Sequence, residues 1–345
     1  MGERTLVKWG VVSTGAHADS KIVPSMKLAV DTELIAVCSR SKERADLFAS
    51  KHDVPMTFSS VEDLAQSDVE AVFITSPNAS HADHTKLLAE HGKHVLCEKP
   101  MAITMESAQA MLETAKHNKI KLGIAFNLRH HPGHQYIKNI LDKKSLGTIN
   151  LIQGQWAFGK RTETIPEQRT GLRSWWHQPE VIGGSDSLMS TGIHVIDLIR
   201  YFIGQEALEV TAITDGQTTD RPLDVLAGVL VKFTGGAIAS IFSGRTIPDS
   251  HNDLILYGSD GFAKGSGTIS ESLQGSIHID SETIKYENSY EYYHLGNYVK
   301  EIEDFNKSVQ TGSQPLATGE DGLQALAITL GAIESAKTGM TVKLK

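Results

Sequence analysis

Two short stretches carry side chains whose types and spacing suit proton transfer. The first is His94-Val95-Leu96-Cys97-Glu98-Lys99-Pro100. Its apolar run, Val95 to Cys97, reads as a buried parallel strand that stops on an acid, a lysine and a proline. In open parallel sheets, ligands bind just outside the carboxyl ends of the strands. A lysine placed there, with Glu98 before it and a φ-locked Pro100 after it, can hydrogen-bond a substrate hydroxyl. It can then stabilise the alkoxide that forms as hydride leaves the carbon. An isolated Glu-Lys-Pro also fits a surface ion pair at a strand end, so the neighbouring residues decide. The second stretch is Ser190-Thr191-Gly192-Ile193-His194-Val195-Ile196-Asp197. Ser190 and His194, at i and i+4, share a helix face, with Asp197 a turn further on. Histidine's ordinary titration range suits a general base at neutral pH.

The elements around the lysine read as alternating strands and helices. Leu6 to Val12 is a first strand that runs into Ser13-Thr14-Gly15-Ala16-His17-Ala18, and a helical pattern continues through Ile22, Met26 and Val30. Strand, tight turn and helix together are the context of a dinucleotide fingerprint. Gly15 lets the backbone approach a pyrophosphate on the helix N-terminus, and Ala18 fills the close helix-strand contact. Ser13 stands where the first glycine of that fingerprint is expected. A second strand, Glu33 to Cys38, ends at Ser39-Arg40-Ser41-Lys42, hydroxyls and positive charge rather than an acid, which suits the 2′-phosphate of NADP. Arg40 stacking on adenine, with either NADP or NAD bound, is the other reading. Further strands are expected at Val54–Phe58, Ala71–Ile74, Val95–Cys97 and Ile120–Phe126. Thr75-Ser76-Pro77-Asn78 closes the fourth strand, and His81 and His84 open the next helix as a helix face rather than a metal pair. This order fits a doubly wound parallel sheet.

Three segments, Ser13 to Ala18, Thr75 to His81 and Gly92 to Ala102, resemble the Gfo/Idh/MocA oxidoreductase family, the last of them most specifically. The resemblance spans nearly the entire chain and implies an α/β protein. Residues 1–126 form a Rossmann domain, and residues 127–345 a C-terminal α/β domain with a large, open, mostly antiparallel sheet. It implies hydride transfer between NAD(P) and a hydroxyl or carbonyl of a sugar, cyclitol or related polyol. Lys99 takes the place of the family's catalytic lysine and His194 that of its general base. Cofactor contacts are expected from Ser13, Thr14, Gly15, Ala16, His17, Ser39, Arg40, Ser76, Pro77, Asn78, His81, Glu98 and Lys99, and substrate contacts from Arg129, Trp175, Trp176, Ser190 and Asp197. Two departures stand out. Ser190 replaces an aspartate, with Asp186 nearby as a substitute of unknown placement, and Trp176 stands where relatives often carry an arginine.

In the second half, Gly147 to Phe158 reads as the first strand of the large sheet. Gly159 to Ser174 reads as a mobile loop near the pocket, and Leu208 to Lys285 as a strand meander with one face covered by helices. Helices are expected at Ala102–His117, at Leu295–Val309 and through Ala336, the last packing back on the domain interface. His130 and His134 are four apart but lack a third ligand, and no metal is expected. The net charge of −8, with acids and bases interspersed, gives no basis for nucleic-acid or membrane binding. Only two cysteines, Cys38 and Cys97, occur, both in apolar runs, as in a cytoplasmic protein. An open sheet face implies a homodimer or homotetramer. Two other functions fit the same residues. One is a regulator that senses cofactor or sugar, since Ser190 breaks the proton relay. The other is a diol dehydrogenase for non-sugar rings, stacked on Trp175 and Trp176.

Overall fold

The structure is a computed structural model and describes residues 6–161, 167, 169–218 and 221–344. It divides into two compact units. The first comprises the described residues up to Ala125 with Gly171–Trp175 and Tyr298–Leu323; the second comprises Phe126–Thr170, Trp176–Asn297 and the chain from Gln324 on.

The first unit holds a parallel sheet of six strands: β1 Val7–Val12, β2 Thr32–Cys38, β3 Met56–Phe58, β4 Ala71–Ile74, β5 His94–Cys97 and β6 Leu122–Ile124. Their spatial order is β3-β2-β1-β4-β5-β6, the reversal beside β1 that defines a doubly wound sheet. Residues of the central strands β1, β4 and β5 are mostly apolar and buried, as both faces of such a sheet are covered. Three of the helices between the strands start where short polar residues cap them: the hydroxyls of Ser41, Ser60 and Thr104 accept from Arg44, Asp63 and Ser107 amides. Residues 298–323 belong here although the sequence reading gave them to the second domain. Phe305 packs on Trp9 with ring centroids 5.4 Å apart, and Asn306 Oδ1 accepts the buried indole N–H of Trp9 at 2.8 Å. That buried indole donor needed a partner, and only a residue almost 300 positions later supplies it.

The second unit is built on a sheet of nine strands: β7 Ile149–Ala157, β8 Ala207–Thr214, β9 Leu226–Phe233, β10 Ile238–Gly244, β11 Leu254–Gly258, β12 Gly261–Ser266, β13 Leu273–Ser281, β14 Lys285–Tyr293 and β15 Val342–Lys343. The order is β14-β13-β12-β11-β7-β10-β9-β8-β15, antiparallel throughout except for β7 and β10, which run parallel. Alternation along β9 buries Ala227, Val229, Val231 and Phe233 while Leu230 and Lys232 face out. The buried face carries the helix with His194, which lies close because two glycines give it room. A Cβ on Gly154 of β7 would meet Val195 at 2.6 Å, and one on Gly192 would meet Ser243 Oγ of β10 at 2.9 Å.

Helices at Met105–His117, Gly296–Thr311 and Gly319–Thr338 stand within a few residues of their sequence-based bounds. Part of the loop expected at Gly159–Ser174 (residues 162–166 and 168) lies outside the described residues, and Gly171–His177 is a 3-10 helix rather than loop. Among the described residues no helix is long and apolar enough to cross a membrane.

Candidate active site

In the first unit, the turn after β1 closes on a serine. Ser13 has φ 94°, a left-handed value that costs a side chain of order 1–2 kcal/mol. Its amide donates to Cys38 O at 2.8 Å, and its hydroxyl accepts from the Gly15 amide at 3.3 Å, which holds the strained turn shut. Gly15 keeps the turn open above the backbone: a Cβ there would meet only Ser13 Oγ, at 3.5 Å. The chain becomes helical at Ala16 and widens into a π-turn at Ala18–Ile22, with Ala18 fully buried. Free amides at a helix start beside unfilled space fit the pyrophosphate of a dinucleotide. At the end of β2, Ser39 is buried and its hydroxyl accepts from Thr14 Oγ1 at 3.2 Å, while Arg40 is exposed.

The lysine turn is tied directly to this loop. His17 Nε2 and Glu98 Oε1 are 2.8 Å apart. Burial works to raise the Glu98 carboxyl, but His17, Lys99 and His81 outweigh it and hold the group below the usual carboxylate range. Lys99 follows, partly exposed, and the Lys99–Pro100 peptide is cis. His81 is placed otherwise than the sequence reading had it. It has no exposed surface, and its two ring nitrogens lie 2.7 Å from Pro100 O and 2.8 Å from Ser76 O. Burial lowers its pKa, against the pull of those two carbonyls. A side chain with no accessible surface is a strut between the β4 and β5 turns, not a nucleotide contact. Pro77 and Asn78 lead into a 3-10 turn, Asn78 itself buried. Ser76 Oγ is 3.0 Å from His84 Nδ1. Burial, together with the charges of His81 and Arg40, pushes His84 down to about 4.

In the second unit, the helix that carries His194 begins at Asp186, where the Ser185 hydroxyl accepts the Leu188 amide at 3.0 Å. A π-turn at Leu188–Gly192 precedes the regular helix Ile193–Ile203, which Gly204 ends in the left-handed conformation. Such π-turns recur at functional sites. His194 is walled by aromatic rings, with Trp156 of β7 at 4.7 Å and Phe126 at 6.2 Å between centroids. Neither was picked out from sequence; Trp156 was legible only as one more strand residue. Ser190 Oγ donates back to Asp186 O within its own helix. The carboxylate of Asp186 is buried and paired with Arg245, just beyond β10. The placement of Asp186, open from sequence, is therefore beside an arginine that the alternating strand pattern gave no reason to single out.

Arg129 and Asp197, both expected to touch substrate, pair with each other. Arg129 Nε and Nη2 donate to Asp197 Oδ2 and Oδ1 at 2.8 and 2.7 Å, with both side chains almost wholly buried. Arg129 also lies over the Tyr201 ring at 4.9 Å. Forked pairing of this kind fixes the start of the second unit to the His194 helix. Trp176 sits in the 3-10 helix with the Arg169 guanidinium 4.2 Å over its ring, so an arginine does occur here, seven residues ahead of its expected position. Trp175 is counted with the first unit and Trp176 with the second. His134, weighed as a metal ligand with His130, instead bonds Leu128 O at 2.7 Å and Thr268 Oγ1 at 3.0 Å.

Comparison with known proteins matches two family models. Residues 7–126 match the oxidoreductase family, NAD-binding Rossmann fold, and residues 138–344 match the oxidoreductase family, C-terminal alpha/beta domain. Over 341 residues, 98% of each chain, the sequence is 25% identical to a 1,5-anhydro-D-fructose reductase of Ensifer adhaerens. It is 34% identical to a scyllo-inositol 2-dehydrogenase (NADP(+)) of Bacillus subtilis over 193 residues, 55% of this chain and 56% of that one. Among solved structures, an aldose-aldose oxidoreductase from Caulobacter crescentus complexed with glycerol superposes with a TM-score of 0.85 at 22% identity, covering 98% of this chain and 100% of that one.

Proposed function

The chain belongs to the Gfo/Idh/MocA oxidoreductase family, and on that ground we propose that it moves hydride between NADP and a carbinol or carbonyl carbon of a sugar, cyclitol or related polyol. The observation that carries the reading is the His17–Glu98 contact of 2.8 Å. It joins the nucleotide turn to the lysine turn, so a cofactor held by Ser13 to His17 would lie near Lys99. The bound nicotinamide supplies the hydride acceptor or donor. Lys99 hydrogen-bonds the substrate oxygen and stabilises its negative charge as the C–H bond breaks. His194 takes the hydroxyl proton in the oxidative direction and returns it in the reductive one. Overall, one hydride and one proton leave the alcohol and a carbonyl forms. Names of the relatives support sugar-like substrates and, for the inositol enzyme, NADP. Arg40 with Ser39 and Thr14 is our proposed seat for the 2′-phosphate.

A purified sample titrated with NADPH and NADH, then assayed on a polyol and sugar panel at the nicotinamide absorbance, tests this. We expect tighter NADPH binding, turnover on at least one member, and a loss of about 10–100-fold in NADPH affinity in Arg40→Ala with little change for NADH. Binding without turnover favours the sensing regulator, for which the inward bond of Ser190 is the supporting observation. Failure of both nucleotides to bind removes the reading.

We also propose a homodimer or homotetramer built on the second sheet. Its outer face exposes Ile213, Leu230, Ile238, Phe242 and Tyr257, which the strand register places on one side. Sedimentation of wild type and Phe242→Glu tests it: the variant should dissociate, and a monomeric wild type rules it out. The two cysteines, both free and buried, agree with a reducing cytoplasm.

A further inference from the structure

Asp186 and Asp215 of the second unit both act on Asp224, and among the described residues those two have cations while Asp224 has none. Asp186 pairs with Arg245; Asp215 pairs with Arg221 and accepts the Val225 and Leu226 amides at 3.0 and 3.1 Å. Asp224, 1% exposed, receives among the described residues the hydroxyls of Ser185 and Ser187, both on Oδ2. Burial, with the charges of Asp186 and Asp215, pushes its carboxyl above the usual range against the pull of the two serines. A buried acid left this way is costly unless something compensates it.

Beside it lies a cavity of about 210 Å³. Asp224, Thr214 and Gln217 line its polar side, Leu188 and Ile333 its apolar side, and the exposed Lys337 lines it as well. We propose that this cavity binds a small zwitterion, its protonated amine on Asp224, its acid group at Lys337 and a short apolar chain along Leu188 and Ile333. The amine supplies the missing cation. The apolar wall disfavours a bare metal ion, which needs oxygen ligands on all sides, and Lys337 disfavours a ligand that is only cationic. The occupant touches Leu188, the first residue of the π-turn ahead of His194, and Ser185, which caps that helix. The cavity is thus placed to report on the helix of the proposed base. Binding itself does not depend on the proposed reaction.

Calorimetric titration of the full chain with δ-aminovalerate, n-pentylamine and valerate tests the site. Saturable binding of δ-aminovalerate is expected, with each half-ligand about tenfold weaker or more. Asp224→Asn should abolish it. Lys337→Ala should weaken it and shift preference toward n-pentylamine. Ile333→Trp fills the cavity without altering either charge and should abolish binding independently, should Asp224→Asn fail to fold. No saturable binding of δ-aminovalerate, equal binding of valerate, or unchanged binding in Ile333→Trp overturns the proposal.

Discussion

The lysine turn and the histidine helix are both read as proton-handling sites, yet they are held in opposite ways. Around Lys99, ionisable neighbours are grouped and in mutual contact: Glu98 with His17, and His81 wedged between two backbone carbonyls. Around His194, charges are neutralised in advance as Arg129–Asp197 and Asp186–Arg245, and the ring itself rests on Trp156 and Phe126. A lysine stays cationic readily and needs direction. A histidine that must gain and lose a proton near neutrality needs neighbours whose own charges do not change with it. The difference teaches that buried ion pairs fix position around His194 on its helix, while around Lys99, at a partly exposed strand end, the ionisable groups themselves do so.

The sharpest way to break this comparison is at the lysine. Lys99→Ala should lower turnover by about 10²–10⁴ while nucleotide affinity stays nearly intact; steady-state kinetics with a parallel fluorescence titration reads both, and normal turnover sinks the assignment. Next, Asp197→Asn should cost about 3–5 kcal/mol in urea unfolding, because it strands the buried Arg129 cation. A change under about 1 kcal/mol would mean that the pair is not the clamp described here.

A third effect is on pH. His131 Nε2 donates to Gln274 O at 2.9 Å while Nδ1 accepts the Gly133 amide at 3.0 Å, an arrangement that only a neutral ring satisfies. Burial holds it down to about 4, against the Gln274 carbonyl, and burial with His131's charge holds His134, 4.7 Å away, well below its usual range. Both pKa values are depressed relative to the unfolded chain, so the unfolded state binds more protons below pH ~6.5. Their contribution is complete above that pH and is lost as pH falls through about 4. It amounts to on the order of 3 kcal/mol for His131. Urea midpoints between pH 7.5 and 4 should fall steeply in wild type and less in His131→Asn, which keeps the cap but not the titration; parallel curves refute it.

The smallest effect belongs to Ser13→Gly. Relief of the φ 94° strain, about 1 kcal/mol, is offset by glycine's greater chain entropy and the lost hydroxyl, so thermal stability should move by less than about 0.5 kcal/mol. A larger gain would mean that the hydroxyl bond to the Gly15 amide contributes nothing to the turn.

Sequence by itself determined the first sheet, because each short apolar run ends in a polar turn and the runs are joined by helices, three of them capped, all local signals. It also marked Lys99 and the fingerprint turn, where the chemistry is contiguous in the chain, and His194, through its spacing from Ser190 and its family resemblance. Only the tertiary structure decided who neutralises whom. Arg129 and Asp197, Asp186 and Arg245, and Trp9 and Asn306 are separated by 68, 59 and 297 residues. Buried polar groups must find partners, but no periodicity says which distant side chain will be nearest once the strands have paired. For the same reason His81 read as a ligand contact and folded into a strut, and Trp156, only one more residue of an expected strand, packs against His194.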